Sequence, residues 1–537
     1  MQGTKGSLLG DDHRLDQYAG LWVVLNKQGI VVGKARTYDD AEAVAGCHED
    51  STIWWVSPHW PYVMIPRWPV VPLKRLTDSH SLWLVGGAVR DLLVHCRPHD
   101  WDFACRREGL ALARLVADVL GGSYYPLDPQ RSTGRVVVHD PDIGTLVTID
   151  IAELRGVDIE SDLQKRDFTV NAMALTLDGE LIDPLHGYED LRQRCLRMTH
   201  PSAFIEDPVR IVRLARLASA LDYTVDEATY RKARDGAPLV QDVAPERVRD
   251  ELLRALPPEF AASSLEHLLG IDVLRYALPE VTEAAKLTVT AEVLQTLGDL
   301  VSFMDSDSQR AVAALDCSRL SPYRDCVRED LMTLVSGGVR RRDLLSWGGL
   351  FALAAERETT KRHLVRRRLH ALRFSKRAHL YVETVAVEAP KLAAALTSSG
   401  GIEPDRREIY RFFRRAGDAG VGSIILALAL TPAMGHASGL TEAVCRRTDA
   451  YLDAVCCARD QIVEPRPLLS GRDLMAMGIR EGPAMGRILA MLRESQAAGE
   501  VTTREEAQQA IQRWLVDLAL DSARSSPQVK PTDRKLR

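Results

Sequence analysis

Two aspartates one residue apart, Asp100 and Asp102 in His99-Asp100-Trp101-Asp102, form the pair in this chain best suited to chemistry. On a strand, side chains at i and i+2 leave the same face, so both carboxylates would open into one space. Hard oxygen ligands set that way suit Mg2+. Two such ions roughly 3.5–4 Å apart activate an attacking hydroxyl and stabilise a leaving pyrophosphate. Upstream, Leu84-Val85-Gly86-Gly87-Ala88-Val89-Arg90-Asp91 reads as a strand, a glycine turn and the start of a helix. Backbone N–H groups at Gly86 and Gly87 can approach a triphosphate there, the helix N-terminus adds a favourable dipole, and Arg90 adds charge. Asp150, in Val147-Thr148-Ile149-Asp150-Ile151, falls on a β-rich run that could stand beside the aspartate strand and is the candidate third carboxylate. In Arg166-Asp167-Phe168-Thr169-Val170-Asn171, Arg166 can grip phosphate. Asp167 and Asn171 are expected one turn apart on a helix around 168–175, facing ribose hydroxyls.

These residues need a compact α/β head, which the pattern predicts over 79–197. Its elements are strands near 82–85, 100–104, 134–139 and 145–152 and helices near 88–94 and 109–120. A small α/β module over 1–57 precedes it, with a hairpin across Asn26-Lys27-Gln28-Gly29, and the Pro-rich stretch within 58–78 reads as a linker. Beyond the head the pattern is helical, divided into a neck (198–257), a body (258–400) and a tail (401–520), with a polar, disordered end at 521–537. The fold class expected is therefore α+β.

Composition narrows the partners. Across 537 residues the net charge is -5, so contact with nucleic acid must come from local patches. One such patch is the run Lys361 to Arg377, which places Arg362, Arg366, Arg373 and Arg377 on one helical face where RNA phosphates could lie. Nine cysteines without a CxxC pair predict reduced thiols. No stretch has the length of a signal core or membrane span, so a soluble, cytoplasmic chain is expected. No protein partner is identifiable.

The order LVGGAVRD, HDWDFAC, RDFTVNAMAL, IDPLHGYEDL, EDPVRIVRLAR and ERVRDELL resembles the class II tRNA nucleotidyltransferase and bacterial poly(A) polymerase family, of the polymerase-beta-like superfamily. The resemblance extends to Pro467-Leu468-Leu469-Ser470-Gly471-Arg472-Asp473-Leu474 and beyond. It implies template-independent transfer of CMP and AMP, from CTP and ATP, to the 3′ end of tRNA, with poly(A) addition to general RNA ends as the alternative. Carried over by motif, Gly87 and Arg90 would bind nucleotide, Asp100 and Asp102 the metals, and Arg166, Asp167 and Asn171 the phosphates and ribose. Glu206-Asp207-Pro208-Val209-Arg210 stands where the family reads the incoming base. An aspartate and an arginine at i,i+3 on a helix would supply an acceptor beside a fork of donors, matching cytosine or adenine, with Arg213 close by.

Two departures from the family pattern stand out. Where long bacterial members carry a His-Asp pair of a phosphohydrolase domain, this chain has Leu344-Leu345-Ser346-Trp347-Gly348-Gly349-Leu350, which predicts no such activity. Between Arg155 and Arg166 only Gly156 to Lys165 intervenes, shorter than the flexible loop usual in complete CCA-adding members. That shortness resembles members that add the two cytidines and leave the terminal adenosine to another enzyme.

Overall fold

The computed structural model describes residues 15–48, 51–77, 81–282, 284–305, 317–398, 403–432 and 442–524. The chain divides into two compact units, 1–242 and 243–537.

The first unit opens with β1 (Trp22–Leu25), β2 (Val31–Ala35), α1 (Tyr38–Ala45), β3 (Thr52–Val56), β4 (Met64–Pro66) and α2 (Val70–Lys74). Its strands form one sheet in the order β2-β1-β3-β4. The expected linker is thus corrected in part. Val63, Met64 and Ile65 are almost wholly buried, and β4 pairs antiparallel with β3, so apolar burial and ladder hydrogen bonds override the proline signal. The module is fastened to the head: Ser57 Oγ donates to the Gly179 carbonyl at 2.6 Å, and Trp60 packs edge-on to Tyr188 at 5.6 Å between ring centroids.

The head continues with β5 (Leu82–Val85), α3 (Gly87–Leu93), β6 (Asp100–Cys105), α4 (Gly109–Leu120), β7 (Ser123–Asp128), β8 (Thr133–His139), β9 (Leu146–Glu153), α5 (Ile159–Gln164), β10 (Ala174–Thr176), β11 (Leu181–Ile182) and α6 (Gly187–Arg192). Seven strands assemble as β11-β10-β5-β6-β9-β8-β7. All neighbours run antiparallel except β6 and β9, which are parallel. Every residue of β5 is buried, and Trp101 and Phe103 of β6 are at most 1 % exposed, so Asp100 and Asp102, which alternate with them, are turned the other way by the strand period of two. The helix expected around 168–175 is absent. A single 3-10 turn, Thr169–Asn171, leads into β10, because Ala174 and Leu175 complete the buried sheet beside β5. After the head come α7 (Ala203–Glu206) and α8 (Val209–Leu221).

The second unit is mainly helical, with a short antiparallel hairpin, Leu334–Ser336 against Val339–Arg340. The long helix Lys376–Thr397 packs against Leu345–Ala352, Glu358–Ala371 and Gly420–Leu430. Near the end, Gly471–Ala476, Pro483–Ala497 and Arg504–Arg524 share a core built on Leu474, Ile488, Leu492 and Ile511. The last helix reaches Arg524, so 521–524, expected to be disordered, are helical; the rest of that stretch, 525–537, lies outside the described residues.

Cys326 and Cys456 form a disulfide, against the expectation of reduced thiols. The partners are 130 residues apart, a pairing that spacing rules cannot see. Closing so long a loop restricts the unfolded chain, and loss of the bond typically costs about 2–5 kcal/mol. Cys456→Ser is therefore expected to lower the urea midpoint of the second unit's unfolding, and dithiothreitol should shift the parent protein to the same midpoint. Equal midpoints with and without reductant would show that the bond does not form in solution.

Candidate active site

Asp100 and Asp102 project from β6 beside the turn joining β5 to α3. Gly86 in that turn has φ +72°, and a Cβ there would lie 3.3 Å from Arg166 Nη1 and 3.6 Å from Asp102 Oδ2. At this φ any residue with a Cβ would be strained, and its Cβ would also crowd the Arg166 guanidinium. The Arg90 guanidinium folds back over Gly87, 3.4 Å from where its Cβ would be, and is held by Asn171 Oδ1 at 2.8 Å and Asp91 Oδ1 at 2.7 Å. Sequence-distant residues, Gly86, Gly87, Arg90, Asp102, Arg166 and Asn171, therefore meet around one turn.

Burial first, and then the facing carboxylate of Asp150, push the Asp102 carboxyl up to about 6, with Arg166 opposing the rise. A carboxylate so short of positive charge fits a divalent cation, and with Asp100 it offers hard oxygen donors of the kind Mg2+ takes. Thr148 Oγ1 donates to Asp100 Oδ1 at 2.5 Å and orients that carboxylate from the neighbouring strand. Asp150 does lie directly across from Asp102 in the β6–β9 register, as a third carboxylate should. Both of its oxygens, however, accept from Arg135, from Nε and Nη2 at 2.7 Å each. Among the described residues no group of three or more His, Cys, Asp or Glu side chains converges to hold a metal.

The connection from β9 to Arg166 is folded and pinned. Asp158 and Ser161 form a capping box at the start of α5, and Asp162, buried, accepts from Arg166 Nη2 at 2.9 Å and from the Arg155 backbone N–H at 3.0 Å. Lys165 Nζ donates to the Arg155 carbonyl, closing the segment on itself.

The reading of Asp207 and Arg210 as helical neighbours is corrected. Asp207 ends α7 in an extended conformation, Pro208 caps α8, and Arg210 points into the protein at 8 % exposure. Its donors serve the carbonyls of Lys165 at 2.8 Å and of Arg166 and Ala203 at 3.3 Å, because a buried guanidinium must find acceptors. Arg210 thereby ties α8 to the backbone of the Arg166 motif instead of presenting a fork beside Asp207. Arg213 reaches Asp167 Oδ2 at 3.0 Å. Burial alone would raise the Asp167 carboxyl, but Arg213 and the Phe168 N–H hold it below the usual carboxylate value. Glu206 is exposed and accepts from Ser202 Oγ at 2.9 Å.

Half of the basic stripe is compensated within the second unit. Arg362 and Arg366 share the buried Glu383, with contacts of 2.6–2.8 Å. Arg373 and Arg377 are exposed.

Sequence reasoning missed Arg135, Thr148 and Asp162. Of these only Asp162 left a local signal, its i,i+4 spacing to Arg166.

Residues 82–197 match the family described as Poly A polymerase head domain, and 222–285 that described as probable RNA and SrmB- binding site of polymerase A. A CC-adding tRNA nucleotidyltransferase of Geobacter sulfurreducens is 34% identical over 442 residues, 79% of this chain and 90% of the relative. The chain belongs to the tRNA nucleotidyltransferase family. An A-adding tRNA nucleotidyltransferase of Deinococcus radiodurans is 33% identical, over 80% of this chain and 95% of its own. Among solved structures, a complex of CCA-adding enzyme with ATP superposes with a TM-score of 0.59 and 20% identity over 83% of this chain and 95% of that one. The Thermotoga maritima CCA-adding enzyme complexed with tRNA gives 0.54 at 20% identity, over 83% of this chain and 95% of that one. These likenesses establish the shared fold of this nucleotidyltransferase: a sheet-bearing head and a helical remainder. Among the described residues no helix is long and apolar enough to cross a membrane.

Proposed function

We propose that this nucleotidyltransferase adds CMP from CTP to the 3′ end of tRNA in the cytoplasm and stops after the two cytidines, leaving the transfer of AMP from ATP to another enzyme. The observation that carries the transfer chemistry is the meeting of Asp102, Arg166 and Arg90 at the Gly86-Gly87 turn. Asp100 and Asp102 would hold Mg2+, which when bound lowers the pKa of the attacking 3′-hydroxyl and neutralises the leaving pyrophosphate. Arg90 and Arg166, both beside the Gly86-Gly87 turn, would take the phosphate oxygens, with the first turn of α3 adding its dipole. Asp167 and Asn171 orient the sugar, the latter while fixing Arg90. Asp207 remains the candidate acceptor for the exocyclic amino group of cytosine. Arg210 acts on base choice through the backbone it holds, and Arg213 through Asp167.

The limit to cytidine rests on the segment Gly156 to Lys165. A change of specificity from C to A requires the base pocket to change shape. Here the connection next to it is a capped helix locked by Asp162 to Arg166 and Arg155. Labelled CTP and ATP, offered singly and together with Mg2+ to tRNA transcripts ending before CCA, after C and after CC, test this. Two cytidines and no adenosine are expected. Adenosine on the CC-ending transcript would make the enzyme a complete CCA builder, and long A tails on any RNA would make it a poly(A) polymerase.

A further inference from the structure

Asp102, Asp150 and Arg135 stand in one row across β6, β9 and β8: Asp150 is the register partner of Asp102 on one side and of Arg135 on the other. Side chains of such cross-strand partners share a face, so three charges lie in line on the face that carries the candidate metal ligands. Arg135 engages both oxygens of Asp150 in a parallel fork at 2.7 Å, the geometry in which a guanidinium holds a carboxylate hardest. The ion pair is partly exposed, at 39% for Arg135 and 21% for Asp150, so a solvated cation can reach it. The other guanidinium near Asp102, that of Arg166, is already committed to Asp162. Asp150 is thus the one carboxylate in the row whose charge is cancelled, and no three-ligand cluster forms among the described residues although the register provides the place for one.

We infer that Arg135 is a positioning residue that withholds Asp150 from the divalent-cation site. This rests on the reading of Asp100 and Asp102 as the metal ligands. While the fork is closed the site presents two carboxylates, and its cation affinity stays low enough for the ion to arrive with the nucleotide. Opening the fork adds a third carboxylate and removes one positive charge, and the resting site then fills without nucleotide.

Mn2+ binding to the nucleotide-free, full-length protein, followed by loss of the free-ion electron paramagnetic resonance signal, tests this apart from catalysis. Arg135→Gln is expected to bind Mn2+ about tenfold more tightly than the parent, the scale set by removing one charge beside a divalent ion in a wet site. Asp150→Asn should bind several-fold more weakly, since Arg135 then stands unopposed. The double variant should return close to the parent, and Arg135→Lys, which keeps the charge but not the fork, should fall between Arg135→Gln and the parent. If Asp102→Ala abolishes binding while Arg135→Gln and Arg135→Lys both match the parent within twofold, the inference is wrong and the metal site stands. If Asp102→Ala leaves Mn2+ binding unchanged, the metal reading itself falls and takes this inference with it.

Discussion

Incorporation of CMP by an Asp102→Ala variant is expected to fall roughly 10⁴-fold, on the order of 5 kcal/mol of transition-state stabilisation, while tRNA binding stays within twofold of the parent. Asp102 is the residue on which the site's charge imbalance concentrates: it faces Asp150, neighbours Asp100, and Arg166 only partly compensates it. Removing its carboxylate leaves the sheet intact, because the buried residues flanking it, Trp101 and Phe103, face the core. Gel-shift binding and single-turnover incorporation read the two effects separately. Retained incorporation would sink the two-metal reading.

The same carboxylate sets a pH dependence. Its folded value, about 6, lies above its unfolded value near 4, so the folded protein binds more protons between them. In the metal-free protein this group's stabilisation is therefore complete below about pH 4 and lost as pH rises through 6. A cation must displace that proton, so Mn2+ affinity should climb from pH 5 to 7 and level off above. Asp102→Asn should abolish the climb.

An Arg166→Ala variant is expected to suffer twice. Incorporation should drop roughly 10²–10³-fold, because a charged donor beside the glycine turn and Asp102 is lost where phosphate charge develops. Stability should drop too, by about 1.5–3 kcal/mol, because Asp162, with its side chain 3% exposed, loses the fork of Arg166 and keeps only Arg155 among the described residues, at 4.0 Å through its guanidinium and 3.0 Å through its backbone N–H. Adding Asp162→Asn removes the stranded charge and should restore most of the melting temperature without restoring activity. Recovery of both together would mean that Arg166 acts only by supporting α5, and that another group grips the phosphate.

How far the sequence alone reached depended on whether the determinant was local. The strand period put Asp100 and Asp102 on one face, and the glycine pair marked the turn that approaches them, because both properties belong to a few consecutive residues. Helix Gly109–Leu120 was likewise legible to its last residue, as Gly121 ends it in the left-handed conformation. Local signals failed where long-range burial decided the outcome. Residues 168–175 carry a helical pattern but give a short 3-10 turn followed by the start of β10, since β5 offered Ala174 and Leu175 a sheet partner. Residues 64–66 look like linker but close a sheet. Arg210 looked like a base reader until the carbonyls of Lys165, Arg166 and Ala203 claimed its donors.

Sequence by itself determined which residues could do the chemistry: the carboxylate pair, the glycine turn and the arginines downstream of it. Only the tertiary structure decided which of those charges remain available. Strand register set Arg135 against Asp150, and helix packing set Glu383 against Arg362 and Arg366. A charge's availability depends on what lies within a few ångströms of it, and in a folded chain most of those neighbours come from far along the sequence.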